Sequence, residues 1–105
     1  MIRTLALFTT GATLMLAPLA AAAQPDMRGA AYLASNCANC HGTGGRSAAA
    51  ALPTLAGMPK ETIVKSLTDF RDGKRSATIM HQLAKGYSDE QITVLAEYFS
   101  RQSAK

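Results

Sequence analysis

The 105-residue chain has no tryptophan and only three phenylalanines and three tyrosines. Aromatic side chains normally supply much of a core's buried area, so this interior is either small or completed by something other than side chains. Strand patterning is also missing. No segment reads as alternating apolar and polar residues bounded by turn signals, which argues against sheet folds and alternating strand–helix folds. Cysteine is limited to Cys37 and Cys40, so any thiol chemistry is concentrated there. No basic stripe with interleaved aromatics runs along the chain, which excludes nucleic acid as a partner. Beyond the N-terminus, no segment is apolar enough to cross a membrane.

Residues 1–23 have the pattern of a secretory signal peptide: Arg3, then an apolar run from Leu5 to Leu19, then the small residues Ala21, Ala22 and Ala23. The run is short for a membrane span and contains Pro18, so cleavage after Ala23 is expected rather than retention as an anchor. Export to a periplasmic compartment follows, with no stable membrane insertion after cleavage. The expected mature domain is residues 24–105, 82 residues in length. A domain of that size buries a modest core and usually needs a staple. The whole chain has 11 basic and 7 acidic residues, a net charge of +4; loss of Arg3 leaves +3. That mild excess suits docking to an acidic redox partner, although most such charges simply solvate a surface. Arg46, Lys60, Lys74 and Arg75 are the candidates to frame a docking face.

Cys37-Ala38-Asn39-Cys40-His41 is the attachment pattern of a c-type haem. Two thiols three residues apart can bond to the two vinyl-derived carbons on one edge of a porphyrin. The adjacent His41 then offers an imidazole nitrogen to the iron. Three other readings compete. A thioredoxin-like redox pair requires a strand–helix context that is missing. A zinc site requires about four ligands, and His41 with the distant His81 fits no common finger spacing. A plain disulfide is sterically allowed in an exported protein but leaves His41 idle. One covalent haem is therefore expected, and it would also be the missing staple.

The rest of the mature chain reads as helices punctuated by glycine and proline. Asp26 is a candidate cap for a first helix to about Ser35, with Met27, Ala30, Ala31, Leu33 and Ala34 as its apolar positions. A glycine-rich loop, Gly42 to Ser47, follows the haem motif. It lacks the lysine and preceding strand of a phosphate loop. Ala48 to Leu52 is compatible with a helical turn. A second helix starts near Pro59 or Lys60 and places Ile63, Val64, Leu67 and Phe70 on one face, with Gly73 as its stop. Arg71, Lys74 and Arg75 beside that stop complement the helix dipole, or else contact haem propionates or a partner. Leu83 and Ala84 suggest a short helix ended by Gly86. Ser88, with Gln91 three residues later, forms a capping box for a last helix with Ile92, Leu95, Ala96 and Phe99 on one face.

The iron needs a sixth ligand or an open site. Met27 falls within a helix, Met58 lies in a loop between Gly57 and Pro59, and His81 and lysines are further candidates. Met80 is preferred, because 39 residues separate it from His41 and let the chain wrap to the opposite haem face. A thioether favours ferrous iron and raises the potential, and two filled axial positions suit electron transfer over oxygen or peroxide chemistry.

On these residues the chain resembles the small class I c-type cytochromes, over essentially all of 26–103. Gly29 and Leu33, with Leu95 and Tyr98, match the positions where that family packs its first helix on its last. Pro53 matches the proline whose carbonyl accepts the proximal histidine's other N–H, and Met80 matches the distal methionine. The resemblance implies an all-α fold of about four short helices around one covalent haem c. Its site is Cys37, Cys40, His41, Pro53 and Met80, with His41 and Met80 as iron ligands. Within the family, Asp69 to Arg75, Ala77 to His81 and Ala84 to Ile92 are similar to the haem subunits of flavocytochrome c sulfide dehydrogenases. One haem motif and half the length of two-haem relatives suit a one-haem subunit or a free carrier. That likeness implies an FAD flavoprotein partner that oxidises sulfide, and soluble or membrane electron acceptors. It implies no sulfide chemistry by this chain, which has no third cysteine and no flavin-binding fingerprint. A free-standing shuttle, and a haem enzyme or gas sensor with an open iron site, are the alternatives.

Overall fold

Local signals account for most of the helix ends in the computed structural model, which describes residues 27–105. The expected signal peptide and the Asp26 cap lie outside the described residues. Helix α1 spans Met27–His41, α2 spans Lys60–Arg71, α3 is a single turn at Met80–Leu83, and α4 spans Asp89–Ser100. Short 3₁₀ turns occupy Thr43–Gly45 and Ala84–Gly86, and no strand occurs among the described residues.

Helix α1 runs past the expected end near Ser35 and carries the whole Cys37–His41 motif. Ser35 does not stop it, because its hydroxyl donates back to the Tyr32 carbonyl at 2.7 Å and leaves the ladder undisturbed. The true stop is Gly42, whose N–H bonds the Ala38 carbonyl at 3.0 Å at a φ of 79°. A Cβ there would sit 2.0 Å from the Arg46 carbonyl oxygen, so only glycine fits.

Helix α2 begins directly after Pro59, whose carbonyl accepts from the Thr62 and Ile63 N–H groups. It ends at the expected glycine: Gly73 has a φ of 72°, and the Lys74 and Arg75 N–H groups both return to the Asp69 carbonyl. Helix α4 has the anticipated capping box. The Ser88 hydroxyl accepts from Gln91 N–H at 3.2 Å, and the Gln91 side chain accepts from Ser88 N–H at 3.0 Å. Glu90 in the first turn has its carboxyl held below the usual range by its own backbone N–H and the Ser88 hydroxyl.

The core lies where α1, α2 and α4 meet: Ala34, Ile63, Leu95, Ala96 and Phe99 form one cluster, with Leu33, Met58, Leu67 and Tyr98 packed against it. All four expected core positions of α4 are buried, whereas on α2 only Ile63 is. Of the nine buried apolar residues among those described, five are alanine, so the core is thin for its length. Two loop contacts complete it. Gly57 N–H donates to the Phe99 carbonyl at 2.9 Å. Gly45 lies against the Phe99 ring, where a Cβ would meet Cδ1 at 2.7 Å. Ala48 to Leu52 makes a single exposed turn, with Leu52 N–H on the Ala49 carbonyl.

Candidate functional site

Cys37, Cys40 and His41 occupy the last turn and a half of α1. Spacings of three and four residues place all three side chains along one helix face. Both thiols are free, Cys37 half-buried and Cys40 exposed. Burial pushes the Cys37 thiol above its ordinary pKa, only partly offset by a backbone hydrogen bond, so it is protonated at neutral pH.

His41 is the one buried polar or charged residue among those described, at 7% exposure. Its Nδ1 lies 2.7 Å from the Pro53 carbonyl oxygen. A carbonyl can only accept, so Nδ1 carries a proton and donates it to Pro53, and Nε2 is the ring nitrogen outside that bond. The contact spans 12 residues and both fixes the ring and makes it a better base. The loop that presents Pro53 is anchored behind it: the Leu55 and Ala56 N–H groups bond the Gly45 carbonyl at 2.8 and 3.1 Å.

Met80 is the first residue of α3 and is half-buried. Helix α2 packs on both α4 and α3, and α1 packs on α4, but no comparable packing joins α1 to α3. The helix bearing His41 and the turn bearing Met80 are thus joined through α2 and α4. Leu52, Ile79 and Leu83 leave apolar surface exposed, at 37%, 52% and 49%. A thin core, stranded apolar side chains and an imidazole with an open nitrogen beside two free thiols together fit a large apolar group attached at that helix end.

The competing assignments fare less well. No group of three or more His, Cys, Asp or Glu side chains among the described residues is placed to hold a metal ion, as zinc would need. Met58, the rival thioether, is packed against the core cluster. His81 has a buried Nδ1 with no hydrogen-bond partner.

All four basic residues proposed to frame a docking face have partners within the chain, Arg75 through the Ser66 hydroxyl at 2.9 Å and the Phe70 ring. Arg46 Nε donates to the Ser103 carbonyl at 2.8 Å, Lys60 pairs with Glu97 at 3.0 Å, and Lys74 reaches Asp72 at 3.5 Å. Arg71 pairs with Asp89 at 2.7 Å and with Asp72. The sequence contained no signal for the links to Ser103, Glu97 and Asp89, because each joins residues at least 18 positions apart.

The model of the cytochrome c family matches residues 27–102. The cytochrome subunit of sulfide dehydrogenase of Chlorobaculum tepidum is 44% identical over 73 residues, covering 70% of this chain and 66% of that protein. The thiosulfate dehydrogenase electron acceptor of Thiomonas intermedia is 40% identical over 100 residues, covering 94% of this chain and 43% of that protein. Cytochrome c-554(548) of Halomonas halodenitrificans is 39% identical over 69 residues, covering 63% of this chain and 83% of that protein. The chain therefore spans just under two thirds of the first relative and less than half of the second.

Proposed function

The chain belongs to the cytochrome c family and carries covalent haem c, and from that premise we propose that it is a periplasmic one-electron carrier serving a sulfide-oxidising flavoprotein as its haem subunit. Cys37 and Cys40 hold the macrocycle through thioether bonds, His41 Nε2 is the proximal iron ligand, and Met80 is the distal one. When bound, the group supplies reversible one-electron transfer between ferric and ferrous iron. His41 is kept in register by Pro53, so its basicity toward iron is constant through the cycle. Met80 would supply the iron's second ligand from this chain and so keep small molecules off it. Leu52, Ile79 and Leu83 offer apolar surface to the ring and keep water from it. The chain passes the electron on and does not oxidise sulfide itself.

The observation that carries this reading is the buried His41 with Nδ1 committed to Pro53 and Nε2 left open beside two free thiols. The choice of partner is supported by the Chlorobaculum relative, named as a subunit of sulfide dehydrogenase. A free-standing shuttle is the second reading, favoured by the Halomonas cytochrome, of which the chain covers 83%.

Visible and near-infrared spectra of the exported, mature protein test the ligands. Low-spin c-type bands with the weak methionine-to-iron charge-transfer band are expected. Met80→Ala should abolish that band, lower the potential and admit carbon monoxide to the ferrous protein. An unaltered band in that variant removes Met80 from the iron. Co-purification of a flavin-containing chain separates the subunit from the shuttle.

A further inference from the structure

Arg71 is the last residue of α2, and its side chain reaches to the start of α4. Its Nη2 pairs with Asp89 at 2.7 Å, its Nη1 donates to the Tyr87 carbonyl at 3.3 Å, and its Nε lies 3.6 Å from Asp72. Arg71 and Asp89 bracket residues 72–88, the segment that carries Met80. That segment is fastened well at its first end. The Lys74 and Arg75 N–H groups return to the Asp69 carbonyl, and the Arg75 guanidinium rests on the Phe70 ring and the Ser66 hydroxyl. Beyond that point its hold is slight. None of residues 76–83 is buried, and Ala84 is the one buried residue of the whole segment. A stretch with so few buried contacts opens locally at low cost. Tying its two ends together removes much of the conformational freedom that opening would gain.

We propose that Arg71 is a positioning residue: by clasping the Tyr87 carbonyl and Asp89 it holds the Met80 segment closed, and so sets how readily the thioether leaves the iron. The proposal rests on the Met80 reading above. Three nitrogens of one guanidinium take three different partners, so the planar fork is used as well as the charge. The Arg71 side chain is 24% exposed and that of Asp89 79%, so the clasp is modest in strength and screened by salt. Exclusion of small molecules from the iron is then governed by an ion pair that touches neither the iron nor the ring.

The test uses the haem-loaded protein with Arg71→Gln, Arg71→Lys, Asp89→Asn and the Arg71→Gln/Asp89→Asn double variant. Glu97→Gln is the control. Glu97 also ties α2 to α4, through Lys60 at 3.0 Å, but at the ends of those helices remote from residues 72–88. The readout is the rate at which saturating carbon monoxide displaces Met80 from the ferrous protein. Arg71→Gln and Asp89→Asn should each raise it about two- to fivefold, the span of a part-exposed ion pair. The double variant should be no faster than Arg71→Gln, and Arg71→Lys should recover part of the effect. Raising the ionic strength should speed the wild type toward the variants and leave the variants unmoved. Amide exchange of residues 76–86 should quicken by the same factor as the displacement. Unchanged rates in both Arg71→Gln and Asp89→Asn overturn the proposal. Equal acceleration by Glu97→Gln also overturns it, because the effect is then a general loosening of α2 on α4. Should Arg71→Gln not load haem, Asp89→Asn and the salt dependence decide the matter alone. Absence of the methionine-to-iron band in the wild-type protein is instead the failure of the Met80 reading itself.

Discussion

The two sides of the site are built differently. Around His41, the ring is buried, bonded to Pro53, and accompanied by an α1–α2–α4 core whose largest members, Phe99, Ile92 and Leu95, are at most 2% exposed. Around Met80, residues 72–86 contribute one buried residue, Ala84, and leave Ile79 and Leu83 about half exposed. The first region is organised by side chains packing on one another. The second is a short turn held through α2, and its apolar groups Ile79 and Leu83 stay about half exposed. The bound group therefore does unequal structural work: it adds little to the proximal core and supplies most of what the distal segment can pack on.

The largest test of that inequality is to prevent attachment. Cys37→Ser combined with Cys40→Ser should lower the midpoint of thermal unfolding, read by circular dichroism, while leaving a cooperative transition, with residues 72–86 losing amide protection before α1 and α4 do. Equal protection of both regions without haem would erase the distinction. Next, in the haem-loaded protein, Phe99→Ala should cost about 3–5 kcal/mol by denaturant titration, because it empties the core between α4, the Gly45 loop and α2. Leu83→Ala should cost about 1–2 kcal/mol there, and close to nothing in the haemless protein, where its side chain is half exposed. If Leu83→Ala costs the same in both forms, the ring does not cover it. The smallest effect is Ser88→Ala. Loss of the capping box should cost about 1 kcal/mol in either form, because it acts on α4 locally and not through the site.

The features legible in the sequence are those decided within a few residues. The Ser88–Gln91 box, the stop at Gly73, the start after Pro59 and the apolar face of α4 all depend on neighbours within about one helical turn. The end of α1 differs from the sequence expectation near Ser35 for the same kind of reason: the Ser35 hydroxyl is satisfied inside the helix, and the stop falls at Gly42. The His41–Pro53 contact came from family resemblance and not from any local rule, since 12 residues and a glycine turn intervene.

By itself, then, the sequence determined the helical class and the Ser88 capping box, and it points to Cys37, Cys40 and His41 as the group's anchor, since a thiol, a thiol and an imidazole spaced along one helix turn carry their chemistry with them. Only the tertiary structure decided which partners the cations take. Arg46, Lys60 and Arg71 are committed to Ser103, Glu97 and Asp89, and Arg75 is fixed on Phe70 and Ser66. A charged side chain several bonds long can reach many partners in sequence, and the one it takes is settled when α4 folds back across α1 and α2.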